Sequence, residues 1–358
     1  MKAAVLEDLD KGLQIKDVPE PGLRPDAAII RMVAAFIPGA MLELIKRETR
    51  EQIPWPLPQL PYTPGADAIG VIEKVGEEVR HLVPGQKVYC DDYVTLPGEP
   101  SVGAYVGLLG PAPGAEIVLG MWPDGCLAEK FSLPADCVAP LGIAETIAPE
   151  QLARLGYIGT SYYAIQRGCF EPGQSVIVNG ATGVLGVGTV RLLLDIGAAR
   201  VIAVGRRKDI LNGLEELDPN RVKAVEWHEN RTEADTLIEA AGERADLFID
   251  AVGFAGNSST TTACIGALAK GGKAVLMGGI NSVVPIDYPS QMIGLQLTIK
   301  GSEWFPRSAV RNLLNLAGSG ALNMSCFKPC IFPLEKAQEA VEAAAYTARG
   351  FEHVVVVP

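Results

Sequence analysis

The chain has 358 residues, 48% hydrophobic and 20% charged, which is enough for two domains with cores of their own. Its 31 basic against 42 acidic residues give a formal charge of -11, which argues against nucleic acid or an anionic membrane as partner. Seven cysteines with no close C-x-x-C pair read as free thiols of a reducing, cytoplasmic compartment. Met1 to Leu9 lacks the apolar core of a signal peptide, and no apolar run is clean and long enough to span a bilayer.

Lys2 to Leu6, Leu13 to Asp17 and Ala27 to Ala35 read as strands, punctuated by Pro19, Pro21, Pro25 and Pro38. Met41 to Glu48 gives a short helical stretch. Pro54, Pro56, Pro58, Pro61 and Pro64 then hold the chain extended up to Gly65, because each lacks an N–H and restrains the residue before it. Ala68 to Val75 and Lys87 to Cys90 are further strands, separated by Gly and Pro turns. Such short strands predict a small barrel-like antiparallel domain, followed by a Gly/Pro/Leu-rich insertion over residues 91 to 124.

The second half alternates differently. Ser175 to Val178 is a short β-branched run, read as a buried strand, and it leads into Gly180, Gly183 and Gly186 at G-x-x-G-x-x-G spacing. A helical run from Val187 to Ile196 follows, closed by Gly197. Strand, glycine turn and helix start together are the context of a dinucleotide fingerprint. Gly180 allows the turn, Gly183 lets backbone approach a pyrophosphate, and Gly186 lets helix and sheet pack closely. The cradle is expected over Gly180, Ala181, Thr182, Gly183, Val184, Leu185 and Gly186, with the pyrophosphate on the unpaired N–H groups of the helix start.

Arg200 to Val204 is the next strand. NAD sites place an acid at its end to bond the ribose hydroxyls, but here the residues are Gly205, Arg206, Arg207 and Lys208. Positive charge with room for a 2′-phosphate predicts NADP(H), with Arg206 the leading contact; a solvated basic helix start is the alternative. Val222 to Trp227, Asp246 to Asp250, Lys273 to Met277 and Leu297 to Lys300 continue as strands, with helices over Thr232 to Ala241 and Thr260 to Leu268. This is an α/β pattern that specifies a Rossmann, doubly wound parallel sheet. Val252, Gly253, Gly278 and Gly279 follow its fourth and fifth strands and are expected to line the coenzyme. His228 reads as an adenine-side or surface residue rather than a base. The tail adds a helix from Pro306 through Leu316, another from Pro333 to Ala345, and a strand from Val354 to Val357.

Pro61-Tyr62-Thr63-Pro64-Gly65-Ala66-Asp67-Ala68-Ile69-Gly70-Val71-Ile72-Glu73-Lys74-Val75-Gly76, Pro84-Gly85-Gln86-Lys87-Val88 and Gly125-Cys126-Leu127-Ala128-Glu129-Lys130 resemble the GroES-like domain of medium-chain dehydrogenases/reductases. With the glycine turn, the resemblance covers essentially the whole chain. It implies a GroES-like, strand-rich catalytic domain (1–152 plus 305–358) into which the nucleotide domain (153–304) is inserted. It also implies that Thr160 approaches the coenzyme and that two chains pair through the sixth-strand edge as a homodimer. The sequence departs from the zinc branch of that family: Pro38, Ala66 and Gly156 stand where zinc ligands are expected, and none has a donor side chain. The four-cysteine structural lobe is missing as well. Ala40 and Glu43 replace the usual relay, and the Asn and Asp of zinc-free quinone reductases correspond to Pro38 and Met41.

A zinc-lacking member, quinone oxidoreductase-like or alcohol dehydrogenase-like, is therefore expected, binding a small-molecule substrate in the interdomain cleft. Without a Lewis acid, hydride transfer suits a substrate whose anion is already stable, which puts an activated C=C bond or a quinone first. Zinc-free alcohol and ketone oxidoreduction is the alternative, and a coenzyme-binding redox sensor a third. Of Asp67, Tyr62, Tyr93, Tyr105 and Tyr157, all expected near the cleft, Tyr157 and Asp67 are the catalytic candidates. Tyr157 either donates to the substrate oxygen or packs; Asp67 either orients a water or side chain, or caps adjacent backbone.

Overall fold

The computed structural model describes residues 1–228, 233–253, 256, 258–280 and 282–358. Six strands form one parallel sheet: β1 (Ser175–Asn179), β2 (Arg200–Gly205), β3 (Val222–Glu226), β4 (Ala245–Asp250), β5 (Leu268–Leu276) and β6 (Thr298–Gly301). Their spatial order is β3-β2-β1-β4-β5-β6, the doubly wound arrangement that places ligands beside the carboxyl end of β1. All five residues of β1 are buried, as expected of a central strand covered on both faces. Two helices position the site. The first, α1 (Leu155–Arg167), enters this sheet from the first half of the chain; the second, α2 (Val184–Asp195), leaves the glycine turn. They cross closely, since a Cβ on Gly188 of α2 would lie 2.9 Å from Ile158 of α1.

The other large sheet has seven strands, with Ala27–Ile37 at its centre. Ala68–Val75 and Lys130–Pro134 pair with it antiparallel, and so does the tail strand Glu352–Val357, in register Val354↔Ile37. The tail thus completes the sheet begun near the start of the chain. One hydrophobic cluster joins the two sheets: Phe36, Ile69, Tyr89 and Val355 of the seven-stranded sheet, the first in chain order, are buried together with Leu155, Ile158, Val176 and Val187. The insertion after Cys90 is a hairpin of its own, Tyr93–Leu96 against Glu99–Tyr105, followed by a helix over Ala115–Met121.

Element ends move by a few residues from their expected places. The helix expected from Val187 begins at Val184, so Gly183 is its N-cap and Gly186 lies in its first turn. The stretch Met41 to Glu48 breaks at Lys46, whose extended ψ of 135° separates Met41–Ile45 from Arg47–Arg50. Leu268 opens β5 rather than closing the preceding helix, which runs Ser258–Gly266. Ala234–Ala241 is helical; Thr232, its expected start, lies outside the described residues.

Candidate active site

β1 ends on buried Asn179, whose Oδ1 accepts the N–H of Gly180 (3.0 Å) and whose Nδ2 donates to Asp250 Oδ1 of β4 (3.2 Å). Gly180 has φ +72°, and a Cβ there would also meet the Ala251 backbone at 2.9 Å, so glycine is required twice over. A Cβ on Gly186 would lie 2.2 Å from the Gly180 carbonyl oxygen, because α2 rests directly on the turn. The first intrahelical bond beyond the cap runs from Val187 N–H to Gly183 O (3.0 Å). The N–H groups of Val184, Leu185 and Gly186 are thereby left for an anion at the helix start, and no side chain caps them. Beside this cradle the Asp250 carbonyl accepts the N–H groups of Met277 (3.0 Å) and Gly278 (2.8 Å), and Val252 O that of Gly279 (3.0 Å). A Cβ on Gly278 would strike Val252 O at 2.1 Å, so these two turns share one edge with Gly253. Thr160 is buried in α1 and donates its hydroxyl to Gly156 O at 3.1 Å.

At the end of β2, Gly205 has a steric reason the sequence did not reveal: a Cβ there would fall 2.4 Å from Thr182 Cγ2. Arg206, Arg207 and Lys208 are exposed around it, and Arg207 Nη1 reaches back to Thr182 O at 3.4 Å. Partial burial, then the neighbouring charges of Arg349 and Arg206, push the Arg207 guanidinium down. Arg349, which precedes the tail strand, is therefore a fourth cation of this corner, brought there by the tail. A guanidinium among other guanidiniums favours a multiply charged anion.

At the junction of the two sheets lies a buried cluster of three carboxyls. Asp67, 1% exposed, accepts the N–H of Gly156 at 3.2 Å and the Tyr89 hydroxyl at 3.4 Å through Oδ2. It thus caps the first turn of α1. Burial, then the charge of Asp91, raises its pKa. Asp91 Oδ1 accepts the Tyr93 N–H (3.0 Å) and Trp304 Nε1–H (2.8 Å), and burial pushes this carboxyl up to about 6. Asp92 is 2% exposed and its Oδ1, like Asp91 Oδ2, has no hydrogen-bond partner; burial, then the charges of Asp67 and Asp91, raises its pKa well above the ordinary carboxylate value. Burial of this kind favours the neutral, proton-bearing form. The Asp91-Asp92 pair directly after Cys90 was the available signal, and the sequence reading passed over it.

The tyrosines divide. Tyr157 packs against Phe36 with ring centroids 4.6 Å apart and planes tilted by 59°, and burial raises its hydroxyl, so it is a packing residue beside the acidic cluster. Tyr105 donates to Glu303 (3.0 Å) and meets Trp304 edge-on at 5.3 Å. Tyr62 instead belongs to the core of the first sheet, bonded to Arg50 at 3.1 Å, and does not join the cluster. Phe305 is buried against Gly159, whereas Trp304 bridges to the insertion. His228 is a surface residue 3.8 Å from Glu226.

Comparison with known proteins fits this geometry. The alcohol dehydrogenase GroES-like domain matches residues 24–143, and the zinc-binding dehydrogenase domain residues 184–319. The chain belongs to the medium-chain dehydrogenase/reductase superfamily. It is 26% identical over 357 residues to L-threonine 3-dehydrogenase of Legionella pneumophila (strain Corby), covering 96% of this chain and 97% of that one. It is 26% identical to Mus musculus sorbitol dehydrogenase over 332 residues, 93% of this chain and 89% of the other. Alcohol dehydrogenase TADH from Thermus sp. ATN1 shares the fold with a TM-score of 0.82 at 23% identity, covering 100% and 99% of the two chains. A zinc-binding dehydrogenase from Sinorhizobium meliloti 1021, solved bound to NADP, gives a TM-score of 0.77 at 21% identity over 100% and 99%.

In this medium-chain dehydrogenase/reductase the positions expected to hold zinc are filled otherwise. The Pro38 carbonyl accepts the Met41 N–H at 3.0 Å. A Cβ on Gly156 would meet Asp67 Oδ2 at 2.5 Å, so the carboxylate occupies the room a ligand side chain would need. The Ala66 carbonyl is covered by the Cys126 thiol at 3.0 Å. Among the described residues no group of three or more His, Cys, Asp or Glu could hold a metal ion, so this donor set does not fit the family's zinc. The glycine cradle, by contrast, fits a nicotinamide dinucleotide. No helix among the described residues is long and apolar enough to cross a membrane.

Proposed function

We propose that the chain is an NADP(H)-dependent, zinc-independent oxidoreductase that interconverts a carbonyl and an alcohol, with Asp92 as its proton store beside Asp67. The observation that carries this reading is the buried Asp92 carboxyl without a hydrogen-bond partner at Oδ1. Reduction of a ketone makes an alkoxide, which must be protonated as it forms, whereas an enolate or hydroquinone anion is stable enough to leave that step to solvent. An acid whose burial favours its protonated form answers the first need, and general acid catalysis of this kind is worth on the order of 10²–10⁴ in rate. The relatives point the same way, being threonine, sorbitol and alcohol dehydrogenases rather than quinone or enone reductases. The C=C and quinone reading put first by the sequence therefore gives way to its alternative.

Bound dihydronicotinamide would supply the hydride. The chain's own parts divide the remaining tasks. Val184, Leu185 and Gly186 present N–H groups to the pyrophosphate. Arg206, Arg207, Lys208 and Arg349 meet the 2′-phosphate. Val252, Gly253, Gly278, Gly279 and Thr160 flank the coenzyme. Tyr157 shapes the wall and Asp67 fixes the start of α1. A homodimer is supported by the unpaired edge of β6 and by Val283, Tyr288 and Ile293, exposed by 85%, 67% and 61%.

The test is a panel of ketones, alcohols, enones and quinones with both coenzymes, run before and after chelation. Chelator-insensitive ketone reduction by NADPH, reversed with secondary alcohols and NADP, is the expected result. Turnover of enones or quinones alone would replace the carbonyl reading. Coenzyme binding with no turnover on any substrate would leave a non-catalytic sensor.

A further inference from the structure

Arg154 precedes α1 and is 0% exposed. Its Nη1 donates to Phe351 O (3.1 Å), and its Nη2 to Gly350 O (2.9 Å) and to Val184 O. The guanidinium lies 4.1 Å above the Phe327 ring, while Nε has no partner. One side chain thus ties the approach to α1, the tail and the first residue of α2. Its acceptors are neutral carbonyls and a ring face. Burial acts first on its charge, then Cys326 and Tyr157, and neither is a carboxylate; among the described residues no acid pairs with it. Nearby His353 adds no second cation, since burial and Arg154 itself push that imidazole down to about 4.

A cation this deep without an anion is costly unless its partner arrives from outside. Val184 is also the first residue of α2, whose unpaired N–H groups open the anion cradle. The guanidinium is bonded to the carbonyl of the same residue, so its charge stands behind the helix start and adds to the field of the helix dipole there.

We propose that Arg154 is a positioning residue for the coenzyme: it fixes α2 against the tail and supplies a buried positive charge whose counter-ion is the pyrophosphate. The proposal rests on the glycine turn being a dinucleotide site. Arg154 never touches the ligand. It acts through Val184 and through the low-dielectric protein between them, where a charge is screened far less than in water.

The experiment measures binding rather than turnover, by titration calorimetry of the full chain with ADP-ribose, which carries the pyrophosphate, and with 2′-AMP, which does not. Arg154→Met is expected to weaken ADP-ribose about tenfold and to leave 2′-AMP within about twofold, while Arg154→Lys retains most of the ADP-ribose affinity. Equal ADP-ribose affinity in parent and Arg154→Met overturns the proposal. So does equal loss of both ligands in both variants, which is the signature of a mere structural tie. Failure of the parent to bind either ligand would instead overturn the dinucleotide reading. Should Arg154→Met not fold, the guanidinium resonances of the parent decide. Arg154 N–H exchange slowed by ADP-ribose and unchanged by 2′-AMP supports the charge coupling, and no response to either ligand refutes it.

Discussion

Asp92 concentrates the chemistry of the acidic cluster into one removable group. Burial and the charges of Asp67 and Asp91 raise its pKa above the unfolded value of about 3.9, so the folded state binds the extra proton. The stability this represents is complete below that unfolded value and is lost as pH rises through the folded one. Asp92→Asn, neutral at every pH, should therefore unfold at a higher temperature than the parent near pH 8 and show no such advantage near pH 4. The same substitution should lower ketone reduction by about 10²-fold or more if the carboxyl delivers the proton. A variant both more stable and less active is what a strained functional acid predicts; a packing residue would lose stability instead. Arg206 offers the second residue-scale test. Loss of a charge-assisted contact costs roughly 1.5–3 kcal/mol. Arg206→Ala should accordingly weaken NADPH by about ten- to hundredfold and leave NADH nearly unchanged in a binding titration.

At the scale of elements, the glycine turn couples strand, loop and helix so tightly that substitutions there are not local. A methyl on Gly186 would press against the Gly180 carbonyl at 2.2 Å, and backbone cannot swing aside as a side chain does. Gly186→Ala should gain nothing from helix propensity; it should displace α2, lower the melting temperature and abolish ADP-ribose binding. Gly205→Asp is the obvious change to recruit NAD, but its Cβ would collide with Thr182. Alone it should destabilise by about 1–3 kcal/mol, as overpacked sites do. Combined with Thr182→Gly it should fold better and accept NADH, which a coenzyme comparison would show. These contacts explain what the sequence made legible. The β-branched run before Gly180 and the glycine spacing identify strand, turn and helix because each has its own period or φ requirement. The approach of Thr182 to Gly205, and of Asp67 to the missing side chain of Gly156, depends on tertiary distances that no spacing encodes. Asp67 was legible as a polar residue near the cleft, but its commitment to the Gly156 N–H was not.

For the whole molecule, the two sheets and their connection follow from hydrophobic patterning, whereas the acidic cluster exists only where they meet. Asp67 and Asp92 come from the first sheet and the start of the insertion, Trp304 from the segment after β6, and Gly156 from α1. Residues this far apart in the chain show no common pattern, so Asp92 went unnoticed beside the more conspicuous Tyr157. The insertion is latched to the junction by Trp304 to Asp91, Tyr105 to Glu303 and Arg307 to Thr95. Trp304→Phe keeps the ring and removes the indole N–H. It should leave ADP-ribose affinity unchanged while raising the KM for ketone substrates, a split that steady-state kinetics would reveal.

The pairing of Glu352–Val357 with Ala27–Ile37 has a further consequence, in time rather than space. During synthesis the central strand of the first sheet is made early, but one of its three neighbours emerges more than three hundred residues later. The nucleotide sheet, whose strands all lie between Ser175 and Gly301, has every partner in hand well before that. The parallel sheet is thus placed to form first, while the coenzyme corner, which needs Arg349, and the open edge of Ala27–Ile37 both wait for the tail, the edge exposed meanwhile to wrong partners and to chaperones.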